Sequence, residues 1–307
     1  MTAAPVGEPA PALSVGEYTT PHLSFAEDLD VYRAAGAAGI GIDPDLKLGG
    51  CEIPGPEDVA RFRDSGLTAA FAFPSIPSVI PLVEGSAGAG QPILDPAARV
   101  EVMCRSIRGL EAFEPGTIVC VTGPAGDLGP DRAWEIAVDG FARVARAADD
   151  IGAKLAVEPM HSSIAAEYSF LTSIPDTVRF LDDAGARNGA IMFDVWHLWD
   201  TDGLLEDIAR HVDRIAGVHV NDRREPTRSW CDRVLPGDGI ADVAGILGAL
   251  DAAGYRGWYE LEVMSDDGMF GASYPDSLWA RDPLELVRSG VEKFHRTWVS
   301  RRPPARS

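Results

Sequence analysis

Four polar side chains end four apolar runs of this chain: Glu158 in KLAVEPM, Asp194 in AIMFDVWH, His219 in IAGVHVND and Glu262 in WYELEVM. Charge at the end of a buried run needs a partner, because an unpaired buried carboxylate is strongly unfavourable. Three carboxylates and one imidazole make a mainly oxygen donor set. It suits Mn²⁺, Mg²⁺ or Co²⁺ better than a thiolate-type zinc site does. Separations of 36, 25 and 43 residues match successive strand–helix units rather than one local loop.

Further polar residues crowd the same run ends. Asp194 and His197 bracket a turn, so both can face one opening, and His161 follows Glu158 by three residues. Beyond His219, the residues Asn221, Asp222, Arg223 and Arg224 form a charge density that packing alone explains poorly. The last run carries Glu260 and Glu262, which alternate to the same side of a strand at different depths. The residue nearer the strand end is the better ligand, which leaves Glu260 as a buried partner. Trp196, Trp199 and Trp230 could stack on a ring-shaped substrate, although core packing explains any single one of them as well. Each signal alone has a bland reading: a helix N-cap for Asp194, a satisfied core imidazole for His219. Four independent runs with matching chemistry at the same end favour a metal site.

The elements that would position these groups alternate regularly. Strand-like runs are read at 13–20, 39–43, 67–74, 116–124, 154–160, 190–197, 215–222 and 258–264. Helical segments follow, including 56–66, 130–152, 175–185 and 240–254, and 282–302 closes the series. Ser24 with Glu27 forms a capping-box pattern at the start of the first helix. The strand runs are apolar almost throughout, as expected where both sheet faces are covered. Eight such units predict a single (β/α)₈ barrel over 13–307, preceded by a flexible arm at 1–12. A doubly wound sheet is the alternative, but no GxGxxG or Walker sequence follows the first strand. In a barrel, functional residues gather at C-terminal strand ends, where all four candidate ligands fall. The Pro-, Gly- and Ser-rich stretch 75–95 reads as a binding loop or lid.

Bulk properties narrow the partners. The 307 residues carry a net charge of −20, which opposes binding to nucleic acid or anionic membranes. Cys51, Cys104, Cys120 and Cys231 form no CxxC pair; Cys104 and Cys120 read as small core residues, and no disulfide framework is expected. The N-terminus lacks a basic and apolar leader pattern, and no run reaches the length of a membrane span. A soluble cytoplasmic protein is the expectation.

The set Glu158, Asp194 with His197, His219 and Glu262 resembles the xylose isomerase-like superfamily of sugar-phosphate isomerases and epimerases, which includes ketose 3-epimerases, hydroxypyruvate isomerases and inosose dehydratases. The segment LPGDGIADVAGILGALDAAGYRGWYELEV is similar to its closing pattern: a Pro-Gly-acidic-Gly turn, a helix, Gly-Tyr-x-Gly and a strand ending in Glu. The resemblance implies that Glu158, Asp194, His219 and Glu262 bind a divalent metal (Mn²⁺, Mg²⁺ or Co²⁺) and that Glu158 and Glu262 also exchange protons with substrate. It implies a substrate-contacting role for His197 and places Arg223 or Arg224 near a substrate-binding arginine. Asp43-Pro44-Asp45 departs from the Glu or Trp that many members carry after the second strand. The implied activity is isomerisation or epimerisation of a keto-sugar or cyclitol by proton abstraction α to a carbonyl through an enediolate. The alternative is a lyase of the inosose dehydratase or C-glycoside-cleaving type. A homo-oligomer is expected, with a second subunit if the protein is a lyase. An apurinic-site endonuclease would need more than the six histidines present and a basic groove. A non-catalytic binding barrel remains the other class.

Overall fold

Short apolar runs buried on both faces produce a closed barrel of eight parallel strands. They are β1 (Leu13–Gly16), β2 (Gly39–Ile42), β3 (Thr68–Ala72), β4 (Thr117–Cys120), β5 (Lys154–Val157), β6 (Gly189–Asp194), β7 (Ile215–Val220) and β8 (Trp258–Leu261). β8 pairs with β1 in the register Leu13 to Tyr259 and Ser14 to Glu260, which closes the ring. The computed structural model describes residues 11–86 and 93–302. Most of the arm expected at 1–12 and residues 87–92 of the loop expected at 75–95 lie outside the described residues.

Two apolar compartments result from strand alternation. Phe71, Val119, Ala156 and Met192 form a cluster of their own with Ala70. A larger cluster, including Val15, Ile40, Ile118 and Leu155, joins the strands to the helices around them. Gly217 on β7 exists for a steric reason, since a Cβ there would meet the ring of Phe71.

The helices obey local capping chemistry. The helix Phe25–Ala35 begins at Ser24, whose Oγ accepts from Glu27 N while Ser24 N donates to Glu27 Oε2 at 2.8 Å, and it ends at Gly36 with φ of 88°. The helix Pro283–Val299 packs against Phe25–Ala35 and completes the outer ring.

Boundaries differ from the sequence reading where side chains cap backbone. The sixth apolar run does not stay extended through His197, because Val195–Leu198 is a short helix. Asp194 starts that helix by accepting the Trp196 N–H at 2.7 Å. Asp43 does the same after β2, accepting from Asp45 N at 2.9 Å and initiating Pro44–Lys47. A short antiparallel ribbon, Asp222–Arg223 against Arg233–Val234, stands beyond β7. The described start of the 75–95 stretch is tied down: Val121 N donates to Pro77 O at 2.9 Å, and the buried Arg99 Nε donates to Ser78 O at 2.9 Å.

Candidate metal centre

The candidate donors share one parity along their strands. His219 lies two residues beyond Gly217 and Asp194 two beyond Met192, while Glu158 follows Ala156 by two and Glu262 follows Glu260 by two. Alternation therefore lifts all four above the barrel filling at the C-terminal strand ends. His219 Nδ1 lies 2.9 Å from Glu158 Oε1, 3.6 Å from Glu262 Oε2 and 3.8 Å from Asp194 Oδ2. Ligand atoms of Glu158, Asp194 and His219 all fall within 4.8 Å of one another, and all three residues are buried.

A second layer holds these groups. His219 Nε2 faces Glu260 Oε1 at 3.4 Å, and the other oxygen of Glu260 accepts from Ser14 Oγ at 2.8 Å. Gly16 and Gly41 leave room for that carboxylate, since a Cβ on Gly41 would collide with Glu260 Oε1. Asn221 Nδ2 donates to Asp194 Oδ1 at 3.0 Å. Arg233 Nη1 donates to Asp194 Oδ2 and to Glu262 Oε2, both at 2.7 Å.

Burial and these neighbours set the charges. Burial pushes the Glu158 carboxyl up to about 7 despite the nearby His219. Burial acts the same way on Asp194, but Arg233, His197 and His219 outweigh it and bring the carboxyl down to about 2. Burial alone would lower His219, whereas Glu262 and Glu158 raise it well above the ordinary imidazole value. Burial pushes His197 down to about 3, so its ring is neutral. The His161 backbone N–H donates to His197 Nδ1 at 3.3 Å, and the Arg233 guanidinium Nη2 stands 3.4 Å from Nε2.

The remaining candidates separate into those near the cluster and those facing elsewhere. Asp194 Oδ2 lies 3.6 Å from His197 Nε2. His161 sits behind His197, with Nδ1 2.7 Å from Ser163 Oγ and Nε2 3.4 Å from Asp200. Trp196 is buried, and the Arg223 guanidinium lies 4.7 Å from its ring centroid rather than in the acidic cluster. Arg224 pairs with Asp232 at 2.9 Å and Asp276 at 3.0 Å. The arginine that reaches the cluster is Arg233, which sequence reasoning did not single out. Its only sequence signal was a charge that enters the apolar pair Val234-Leu235, in a stretch where Asp222, Arg223, Arg224, Arg228 and Asp232 carry charge as well.

Glu158, His197, Arg233 and Glu262 face a cleft of about 660 Å³, including its open mouth. Tyr18, Asp43, Phe73 and Met264 also line it. The donor set fits a hard divalent cation: clustered buried carboxylates, one of them held near neutrality, oppose a single imidazole.

A family model described as xylose isomerase-like TIM barrel matches residues 33–291, and the chain belongs to that family. An inosose dehydratase of Geobacillus thermodenitrificans is 27% identical over 154 residues, 44% of this chain and 49% of that protein. A protein of Streptomyces coelicolor named for hydroxypyruvate isomerase activity is 31% identical over 151 residues, 47% of this chain and 51% of its own length. The chain thus spans about half the length of these curated relatives. Among solved structures, a protein of Sinorhizobium meliloti superposes with a TM-score of 0.78 at 24% identity, covering 93% of this chain and 98% of its own. An L-ribulose 3-epimerase gives 0.72 at 19%, covering 95% of each chain. The IolI protein, with a binding zinc atom, gives 0.72 at 16%, covering 93% of this chain and 97% of its own. These likenesses show the fold. Among the described residues, no helix is long and apolar enough to cross a membrane.

Proposed function

We propose that this protein is a divalent-metal-dependent isomerase or epimerase that moves a proton at the carbon α to the carbonyl of a keto-sugar or cyclitol. One observation carries the reading: two carboxylates from different strand ends, Glu158 and Glu262, line one cleft and both lie within 3.6 Å of His219 Nδ1. Glu158, Asp194, His219 and Glu262 would hold Mn²⁺, Mg²⁺ or Co²⁺, and such an ion supplies Lewis acidity that makes the α-proton removable.

The residues of the chain do the rest. Glu158, pushed to about 7 by burial, is matched to taking and returning a proton near neutral pH. Glu262 is the second carboxylate within reach and transfers the proton at the other position or face. His197 sets a neutral imidazole in the cleft within reach of a substrate oxygen, and Arg233 sets a positive charge beside the developing negative charge. Return of the proton to the opposite face of the same carbon gives epimerisation; return to the neighbouring carbon gives aldose–ketose isomerisation.

The lyase reading uses the same proton abstraction followed by loss of a β-substituent, and the inosose dehydratase relative supports it. Incubation of Mn²⁺-loaded protein in D₂O with ketoses, 3-keto-glycosides and inososes, followed by NMR, tests both. Deuterium at the α-carbon supports enolisation, and the product identifies the class. Full exchange in both Glu158→Gln and Glu262→Gln would sink the assignment. Absence of bound metal together with absence of exchange would leave a non-catalytic barrel.

A further inference from the structure

The cleft has two unlike sides. Its floor holds Glu158, Glu262, Arg233 and His197. One wall is apolar: Leu82, Val121, Met160, Ile164, Tyr168 and Trp230. Val121, Met160, Ile164 and Tyr168 belong to a cluster of buried side chains separate from the strand–helix core, with Leu82 and Trp230 packed against it. Neighbouring rings brace the wall. Tyr168 meets Trp230 edge to face at 5.7 Å, and Trp230 meets Phe270 at 5.1 Å.

A free sugar carries hydroxyls around its whole ring, and each one desolvated without a partner is unfavourable. Leu82, Val121, Met160 and Ile164 have no hydrogen-bond donor to offer such a ring. We infer that the substrate carries a flat apolar substituent, aryl in character, attached to the polar ring that reaches the acidic floor. The substituent packs on the Leu82–Ile164–Trp230 wall, while the ring's oxygens turn to Arg233, His197 and the carboxylates. Such a ligand satisfies both sides of the cleft at once. The inference rests on the enolisation reading for the orientation of the polar ring, but the wall itself does not depend on it.

The test compares two probes that differ only at this substituent: phenyl and methyl 3-keto-β-D-glucopyranoside, titrated calorimetrically into the Mn²⁺-loaded protein. The phenyl probe is expected to bind more tightly by a factor of about five or more. Leu82→Asn, at a half-buried position, and Ile164→Asn should each lower that ratio. A smaller ratio in the parent protein, no binding of either probe, or a ratio unchanged in both variants overturns the inference. Deuterium exchange on the same samples separates the two ideas. Exchange without phenyl preference removes the apolar-substituent proposal and keeps enolisation. Preference without exchange does the reverse.

Discussion

His219 on β7 points Nε2 at Glu260 Oε1 on β8 at 3.4 Å, leaving Nδ1 to face Glu158, Asp194 and Glu262. The carboxylate behind the imidazole favours an Nε2–H tautomer when a cation draws on Nδ1. Glu260→Gln should weaken Mn²⁺ binding about 10- to 100-fold with little change in fold. Calorimetric titration with Mn²⁺ checks this, and an unchanged affinity would remove Glu260 from the centre.

Metal affinity should depend on pH through Glu158. Its folded pKa of about 7 lies above the ordinary 4.5, so the metal-free protein holds a proton there below 7 that a cation must displace. Displacing the Glu158 proton contributes about tenfold per pH unit below 7, and the raised His219 must lose its proton as well, which steepens the dependence. The stability sign follows. With a raised folded value, the Glu158 contribution to the metal-free fold is present below 4.5 and is lost as pH rises through 7. Stabilisation by Mn²⁺ should therefore be larger at pH 8 than at pH 6. Melting curves with and without Mn²⁺ measure the difference, and a larger metal-induced shift at the lower pH would contradict it.

Arg233 bridges Asp194 and Glu262 with one nitrogen, at 2.7 Å to each. Removing it leaves buried carboxylates uncompensated. Metal-free Arg233→Met should lose roughly 3–5 kcal/mol of stability, since breaking a buried pair exposes the unpaired charge to a poor solvent. Mn²⁺ should restore part of that loss without weaker binding, while kcat/KM falls about 10²-fold. Arg233→Lys, which keeps the charge but not the planar fork, should fall between. Denaturant titrations with and without Mn²⁺ check the first pair of outcomes.

Two glycines define free space that side chains use. Gly217→Ala sets a methyl group against Phe71 inside the barrel, and Gly41→Ala sets one against Glu260. Each should destabilise by about 1–3 kcal/mol through overpacking. Gly41→Ala should weaken Mn²⁺ binding more, because the displaced Glu260 carboxylate faces His219 Nε2, whereas Phe71 meets the imidazole only edge to face at 6.2 Å. Equal loss of metal affinity in both variants would speak against that route.

The eight strands were legible because parallel strands buried on both faces leave continuous apolar runs, and the same runs made Glu158, Asp194, His219 and Glu262 conspicuous at their ends. Strand ends were less legible where apolar character continued through a change of conformation. Val195-Trp196 reads as more strand, but the Asp194 cap turns it into helix. Arg233 lay hidden for a different reason. It returns to the cluster through the ribbon that pairs Arg223 with Arg233, a contact set by tertiary folding rather than strand order. Arg223 and Arg224 stand nearer His219 in sequence, yet Trp196, Asp232 and Asp276 engage their guanidinium groups.

Glu158, Asp194 and His219 cluster at the ends of β5, β6 and β7, and Glu262 after β8 approaches His219, so all four stand on one half of the ring. Strands β1 to β4 supply none of them; Tyr18, Asp43, Phe73 and Val121 from their ends only shape the cleft. Donor chemistry is thus confined to one half of the ring, whereas the surface that encloses a bound molecule is shared: Leu82 and Val121 follow strands of the first half, and Met160, Ile164 and Trp230 follow strands of the second.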